Sequence, residues 1–330
     1  MFGVIFFMCT AICCDMGHCY FGRNLDLEYN YTETVTITPR NFTFEFENDD
    51  VMKRHYAMIV IEYVADGYPL YYDAVNEKGV AMAGLSFDGF AYYNKPCVEK
   101  NNIASYELIP YILCCCGDMC QVIDIVNNLN ITDAAFSQKL PPSPLHWIVS
   151  YKGESMVIEQ TEWGFNIYDN PIGVLTNNPE FPYHMQSLNN YMSLSPSNPK
   201  NNFGYEALNV YSKGMGAIGL PGDNSSNSRF VRAAFTKCNS VSCDSEESKI
   251  GRFFHMLDSV AQVKGTTRVE EEQYEITVYS SCCNCDRGIY YYTTYENRQI
   301  SAVDMYRESL EGTELISYPI YGEENVRFIN

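Results

Sequence analysis

The chain has 330 residues, 46% hydrophobic and 14% aromatic, enough apolar material for a sizeable packed core, which excludes disordered and fibrous classes. Its 22 Lys and Arg against 41 Asp and Glu give a formal charge of −19, a field that would repel a phosphate backbone and argues against nucleic acid as a partner. No stretch approaches the roughly 20 apolar residues that span a bilayer, so a soluble protein without a membrane span is expected.

Residues 56–64, rich in β-branched and aromatic side chains, predict a strand, and 79–87 predict a second after the turn-like Asn76-Glu77-Lys78-Gly79. Leu108, Ile109, Ile112, Leu113, Val122, Ile123 and Val126 recur at helical spacing over 104–129, with Pro110 early and Gly117 placed to break the segment into two helices. Three short strands at 146–151, 155–160 and 164–168 form a meander around Lys152-Gly153-Glu154 and Thr161-Glu162-Trp163. Amphipathic helices are expected at 228–238 and 249–263, the second carrying Phe253, Phe254, Met256, Leu257 and Val260 on its apolar side. Strands return at 273–280, 288–295 and 299–304, with Asn284-Cys285-Asp286 and Glu296-Asn297 as turns. Strands, then helices, then strands predict an α+β layer architecture, and without a repeat or composition shift the chain reads as one domain.

The fourteen cysteines fall in blocks, among them Cys13-Cys14, Cys114-Cys115-Cys116 with Cys120, and Cys282-Cys283 with Cys285. Adjacent side chains point apart, so these runs read as small buried hydrophobes in a reducing compartment, and a cytoplasmic location follows. Sequons at Asn30, Asn41, Asn130 and Asn224, together with apolar residues 1–7, are what an exported chain would use. Residues 1–7 carry no Lys or Arg, however, and no small-x-small cleavage signal follows them. Paired CxxC arms at finger spacing are missing, and none of His18, His55, His146, His184 and His255 falls in an HxxxH pattern, so no metal is expected.

Two patterns are decoys. Gly214-Met215-Gly216-Ala217-Ile218-Gly219 fits GxGxxG, but 205–210 before it reads at least as well as helix and Leu220-Pro221-Gly222 follows, so a loop is expected. Gly84-Leu85-Ser86-Phe87-Asp88 lacks the second glycine of a serine hydrolase elbow.

Met8-Cys9-Thr10 is followed by Gly22-Arg23-Asn24-Leu25-Asp26. If processing leaves Cys9 as residue one, a single amino acid supplies a thiol nucleophile and an α-amine whose ordinary pKa of about 7.7–8.0 suits a general base. An arginine near the sulfur favours the thiolate, and a carboxylate from an adjacent strand can orient the amine; Arg23 and Asp26 are the right types. On chemistry alone, Cys9 reads rather as a buried strand thiol and 22–26 as an ordinary turn.

The remaining blocks carry a resemblance. Phe21-Gly22-Arg23-Asn24-Leu25-Asp26, Thr38-Pro39-Arg40-Asn41 and Ala83-Gly84-Leu85 are followed in order by Leu145-His146-Trp147, Val174-Leu175-Thr176-Asn177 and Gly219-Leu220-Pro221-Gly222-Asp223. Ser228-Arg229-Phe230, Gly288-Ile289-Tyr290-Tyr291-Tyr292 and Thr294-Tyr295-Glu296-Asn297 complete the series. The chain resembles the choloylglycine hydrolase family of N-terminal nucleophile hydrolases, which contains conjugated bile acid hydrolases and penicillin V acylases. It is similar to the bile salt hydrolase branch along nearly all its length from Met8.

The resemblance implies a four-layer αββα sandwich of two antiparallel sheets between helical layers. It implies Cys9 as nucleophile with its own amine as base, Arg23 beside the thiol, Asp26 fixing the amine, Asn177 donating to the oxyanion and Arg229 stabilising transition-state charge. Leu25 and Leu145 would line the acyl pocket. The implied reaction cleaves glycine- or taurine-conjugated bile acids through a thioester, in a homotetramer, with no metal or organic cofactor.

Three departures accompany it. Ser86 stands where bile salt hydrolases usually carry Asn and penicillin V acylases Tyr, so the second oxyanion contact is expected from a backbone N–H. Ala65 stands at a common aromatic position of the substrate pocket, which would enlarge or reshape the site. Residues 1–7 precede the usual initiating Met-Cys, so either Met8 is the true start or a propeptide, residues 1–8, is cut from a catalytic domain over 9–330. Ser86 and Ala65 leave open an acylase for penicillin V or N-acyl homoserine lactones, and a retained extension would leave a non-catalytic ligand-binding relative.

Overall fold

The structure, a computed structural model, describes residues 8–47, 51–241, 244–320 and 322–330; the expected leader at 1–7 lies outside them. Strands β1 (Met8–Asp15) and β2 (Cys19–Leu27) open the chain as an antiparallel hairpin. The polar residues of 22–26 make that segment look like a turn, yet β2 is buried from end to end. It can be, because its polar groups find partners: the Asn24 Nδ2 amide donates to the Leu257 carbonyl at 3.0 Å and Asp26 Oδ1 accepts the Thr277 hydroxyl at 2.6 Å. A Cβ on Gly22 would lie 1.9 Å from the Ser281 carbonyl oxygen, so the neighbouring strand closes on β2 only because residue 22 has no side chain.

β3 (Thr34–Thr38), β4 (Met58–Ala65), β5 (Tyr68–Asn76) and β6 (Ala81–Ser86) follow. Helices α1 (Leu108–Cys115) and α2 (Met119–Val126) divide at Gly117 as expected. Pro110 sits in the first turn of α1, where a missing N–H costs nothing, and the Asp118 carboxylate caps α2 by accepting the Gln121 N–H at 2.9 Å. The meander is β7 (Leu145–Tyr151), β8 (Glu154–Thr161) and β9 (Gly164–Asp169), and β10 (Val174–Leu175) leads to α3 (Phe181–Ser187), a short helix not expected from the sequence.

Residues 205–210 hold no helix, and the GxGxxG letters lie in a loop with one 3-10 turn, Met215–Ala217. α4 (Ser226–Asn239) and α5 (Glu246–Asp258) come next. α5 starts earlier than expected because Ser245 caps it and Glu246 and Glu247 fill its first turn, and it stops at Asp258, leaving Val260 buried in the connection. β11 (Ile276–Asn284) runs past its expected end into the Asn284 turn, followed by β12 (Ile289–Thr294), β13 (Ser301–Asp304) and β14 (Ile316–Pro319).

These strands make two antiparallel sheets, six-stranded in the order β10-β1-β2-β11-β12-β13 and eight-stranded in the order β9-β8-β7-β6-β5-β4-β3-β14. Ala11, Phe21, Ile59, Ala83 and Ile148 belong to a core that joins the two sheets and reaches Phe230 and Phe253 of α4 and α5. Val60, Met82 and Trp147, on the other face of the larger sheet, pack with Leu108, Ile112 and Val122 of α1 and α2. The layering is the expected αββα sandwich.

Candidate active site

Cys9 is the second residue of β1, pairs with Leu25 of β2 and is 1% exposed. Arg23 pairs with Ala11, so its side chain lies on the Cys9 face and reaches the sulfur diagonally, Nη2 to Sγ at 2.5 Å. Nη1 donates to the Gly84 carbonyl at 2.7 Å and to the Tyr72 carbonyl at 3.0 Å, which fixes the guanidinium against the facing sheet. Burial pushes the Cys9 thiol above its ordinary value; Arg23 opposes this, as expected, but does not reverse it.

Asp26 is fully buried, and burial pushes its carboxyl up to about 6 against the pull of Arg229, Thr277 and Arg23. Its Oδ2 has no hydrogen-bond partner. The Cys9 N–H donates instead to Asn177 Oδ1 at 2.9 Å. In peptide linkage the nitrogen has one N–H and spends it on Asn177; a free amine has more donors to share.

Asn177 follows β10, where its N–H donates to Ser226 Oγ at 2.9 Å and its Nδ2 to the Ser86 carbonyl at 2.9 Å. Arg229, in the first turn of α4, donates from Nη2 to Asn177 Oδ1 at 2.6 Å and from Nη1 to the Cys9 carbonyl at 2.5 Å and Thr10 Oγ1 at 2.8 Å. It is fully buried, not a surface helix charge, because the start of α4 abuts β1. Cys9, Arg23, Asn177 and Arg229 thus form one hydrogen-bonded group, with Asp26 facing it.

Sequence reasoning missed two residues that hold this group. His146 donates from Nε2 to the Thr176 carbonyl at 2.9 Å, and its Nδ1 lies 3.0 Å from Glu159 Oε1; His184 donates from Nε2 to the Asn177 carbonyl at 2.8 Å. The two rings grip consecutive carbonyls around Asn177. The Leu145-His146-Trp147 block flagged the first; no signal marked the second.

An apolar cleft opens on Cys9, and Leu25, Ser86 and Leu145 are among the residues that line it. Ala65 does not line it: it is the last residue of β4, paired with Tyr68 at the hairpin tip. The aromatic wall comes instead from Tyr63, one pleat earlier on the same strand, with Tyr31, Tyr71, Tyr72 and Tyr106. No group of three or more His, Cys, Asp or Glu suited to a metal occurs among the described residues. Among them, too, no helix is long and apolar enough to cross a membrane.

Two antiparallel sheets between helical layers, with this cysteine at the head of the first strand, have the architecture of the N-terminal nucleophile hydrolases. The family model for linear amide C–N hydrolases, choloylglycine hydrolase family, matches residues 9–318. A bile salt hydrolase/transferase of Lactiplantibacillus plantarum is 51% identical over 324 residues, spanning 98% of this chain and 100% of the relative. Its namesake in Clostridium perfringens is 38% identical over 329 residues, again 98% and 100% of the two chains. The crystal structure of a variant of conjugated bile acid hydrolase from Clostridium perfringens superposes with a TM-score of 0.90 at 37% identity, over 97% of this chain and 100% of that one. Penicillin V acylase from Agrobacterium tumefaciens, at 18% identity and a TM-score of 0.71 over 94% and 90% of the chains, shares the fold. This chain belongs to the choloylglycine hydrolase family of linear amide C–N hydrolases.

Proposed function

We propose that this protein splits glycine or taurine from conjugated bile acids by acyl transfer to Cys9. The observation that carries the reading is the placement of the Cys9 sulfur at an apolar, tyrosine-walled cleft beside Arg23, in a chain half identical to a bile salt hydrolase/transferase. A steroid body suits apolar walls, and Leu25 and Leu145 are the contacts assigned to it.

Removal of Met8, alone if translation starts there or with a propeptide of residues 1–8, frees the Cys9 amine, which takes the thiol proton as Sγ attacks the amide carbonyl. Asn177, through its side-chain N–H groups, and a backbone N–H near Ser86 receive the developing oxyanion, while Arg229 holds Asn177 and Arg23 balances charge on sulfur. The amine returns the proton to the departing amino acid, and water cleaves the thioester. Asp26 orients the amine. No step calls for a metal or organic cofactor.

A second outcome of the same thioester follows from the names of the relatives, which are hydrolase/transferase. An amine in place of water would yield a new amide.

We infer a single catalytic domain over 9–330, a cytoplasmic location supported by buried thiols such as Cys14, Cys116 and Cys282, and a homotetramer by family resemblance alone. The test is release of glycine from glycocholate and taurine from taurocholate by protein whose intact mass begins at Cys9. No release from either overturns the reading, and faster turnover of penicillin V would replace it with the acylase alternative.

A further inference from the structure

Around Met8, the residue that precedes the nucleophile, buried polar groups converge, and of these the mechanism above uses Asp26 alone. Glu275, next to β11 and two residues before the Thr277 that pairs with Asp26, is 1% exposed and leaves Oε2 without a partner. Asp26, opposite Met8 in the β1–β2 pairing, leaves Oδ2 without one, and the buried Gln262 leaves Nε2. Leaving such atoms unpaired in the interior is costly, and it is relieved where a ligand group or water completes them.

The surrounding backbone is fixed. The Gln262 N–H donates to Thr277 Oγ1 at 2.7 Å, the Thr277 hydroxyl to Asp26 at 2.6 Å, and the Glu275 N–H to the Thr267 carbonyl at 3.0 Å. Burial pushes the Glu275 carboxyl up to about 9; Asp26 of β2 and Glu28 beyond it push the same way, while Arg229 of α4 opposes them. That direction favours the neutral acid, which can donate and accept without adding charge.

Removing Met8 takes its amide out of this polar group and gives the Cys9 nitrogen new donors. We propose that Glu275 is a positioning residue for the α-amine of mature Cys9, joined to it by a water that replaces the Met8 amide, so that Glu275 and Asp26 together aim the amine at the reacting atoms. A neutral partner suits this task, since a second carboxylate would hold the amine as ammonium and remove its function as base. This assignment rests on Cys9 acting as the N-terminal nucleophile.

The test compares Glu275→Gln, a neutral isostere, with Glu275→Met, which fills the same space without polar atoms, each shown by intact mass to begin at Cys9. With glycocholate, the Gln variant keeps kcat within about threefold of the parent. The Met variant loses at least about tenfold in kcat with KM within about twofold, its acid limb in the kcat–pH profile shifts, and its Tm is unchanged or raised. Parental kcat and pH profile in the Met variant overturn the assignment, as does an equal loss in both variants accompanied by a fall in Tm, the mark of a structural role. Full turnover by Cys9→Ala would instead overturn the nucleophile reading beneath it, a result these variants do not mimic.

Discussion

Arg23 places Nη2 2.5 Å from Cys9 Sγ while its Nη1 bonds two carbonyls of the opposite sheet, Gly84 and Tyr72. The guanidinium is therefore set before any substrate arrives, and a lysine, with one compact ammonium, cannot fill all three positions. Arg23→Leu should slow alkylation of Cys9 by iodoacetamide at pH 7 at least about tenfold, since the sulfur then loses the cation that offsets its burial. It should also lower Tm, because each buried carbonyl left unpaired costs about 1–3 kcal/mol. Unchanged alkylation would remove Arg23 from the chemistry.

Substitutions around the nucleophile should separate chemistry from binding. Cys9→Ser should lose nearly all kcat, and Asn177→Ala about 10²–10³, the usual cost of one oxyanion donor. Leu25→Ala and Leu145→Ala, in the cleft wall, should mainly raise KM. Steady-state kinetics on glycocholate give all four values; more than a few per cent turnover by Cys9→Ser would end the nucleophile assignment.

His184 holds the Asn177 carbonyl and is fully buried, and burial lowers its proton affinity below the usual imidazole range. A depressed histidine stabilises the fold above its ordinary pKa and loses that contribution as pH falls through the folded-state value, because the unfolded chain binds the proton first. Acidification should therefore loosen the Asn177 loop. His184→Phe keeps the ring beside Phe230 but drops the bond, and should reduce kcat by about tenfold or more with little change in KM. An unaltered kcat would show that Asn177 needs no such support.

Glu62 of β4 is fully buried with neither carboxyl oxygen hydrogen-bonded, and burial pushes it up to about 8, the Thr36 hydroxyl opposing. A raised carboxyl works in the opposite sense to His184: its contribution is intact below about pH 4.5 and is lost as pH rises through about 8. Glu62→Gln should flatten the decline of Tm between pH 5 and 9 and raise Tm at the alkaline end. Parallel Tm curves for the two proteins would contradict this.

The layers were legible where periodicity was clean. Gly117 and Pro110 located both helices of the outer layer, and the Lys152-Gly153-Glu154 turn located the meander. β2 was not legible, since Arg23, Asn24 and Asp26 are polar in a strand with no exposed face, and only tertiary partners satisfy them. Ala65 failed for a related reason: its position in a motif says nothing of where the hairpin tip lies relative to the cleft, and Tyr63 carries the wall instead. His184 escaped notice because it acts on a backbone carbonyl, which leaves no spacing to read.

The pairing of β2 also governs when activity can arise. Leu25 pairs with Cys9 on one side and with Tyr279 on the other, so the strand next to the nucleophile waits for residues 276–284 to leave the ribosome. Until then β2 is an open edge, its Arg23 and Asp26 without the interior that satisfies them. The first sheet is complete only once β11 has been made, so a product truncated before Ile276 is expected to expose the β2 edge and to aggregate edge to edge, not to act as a weak enzyme.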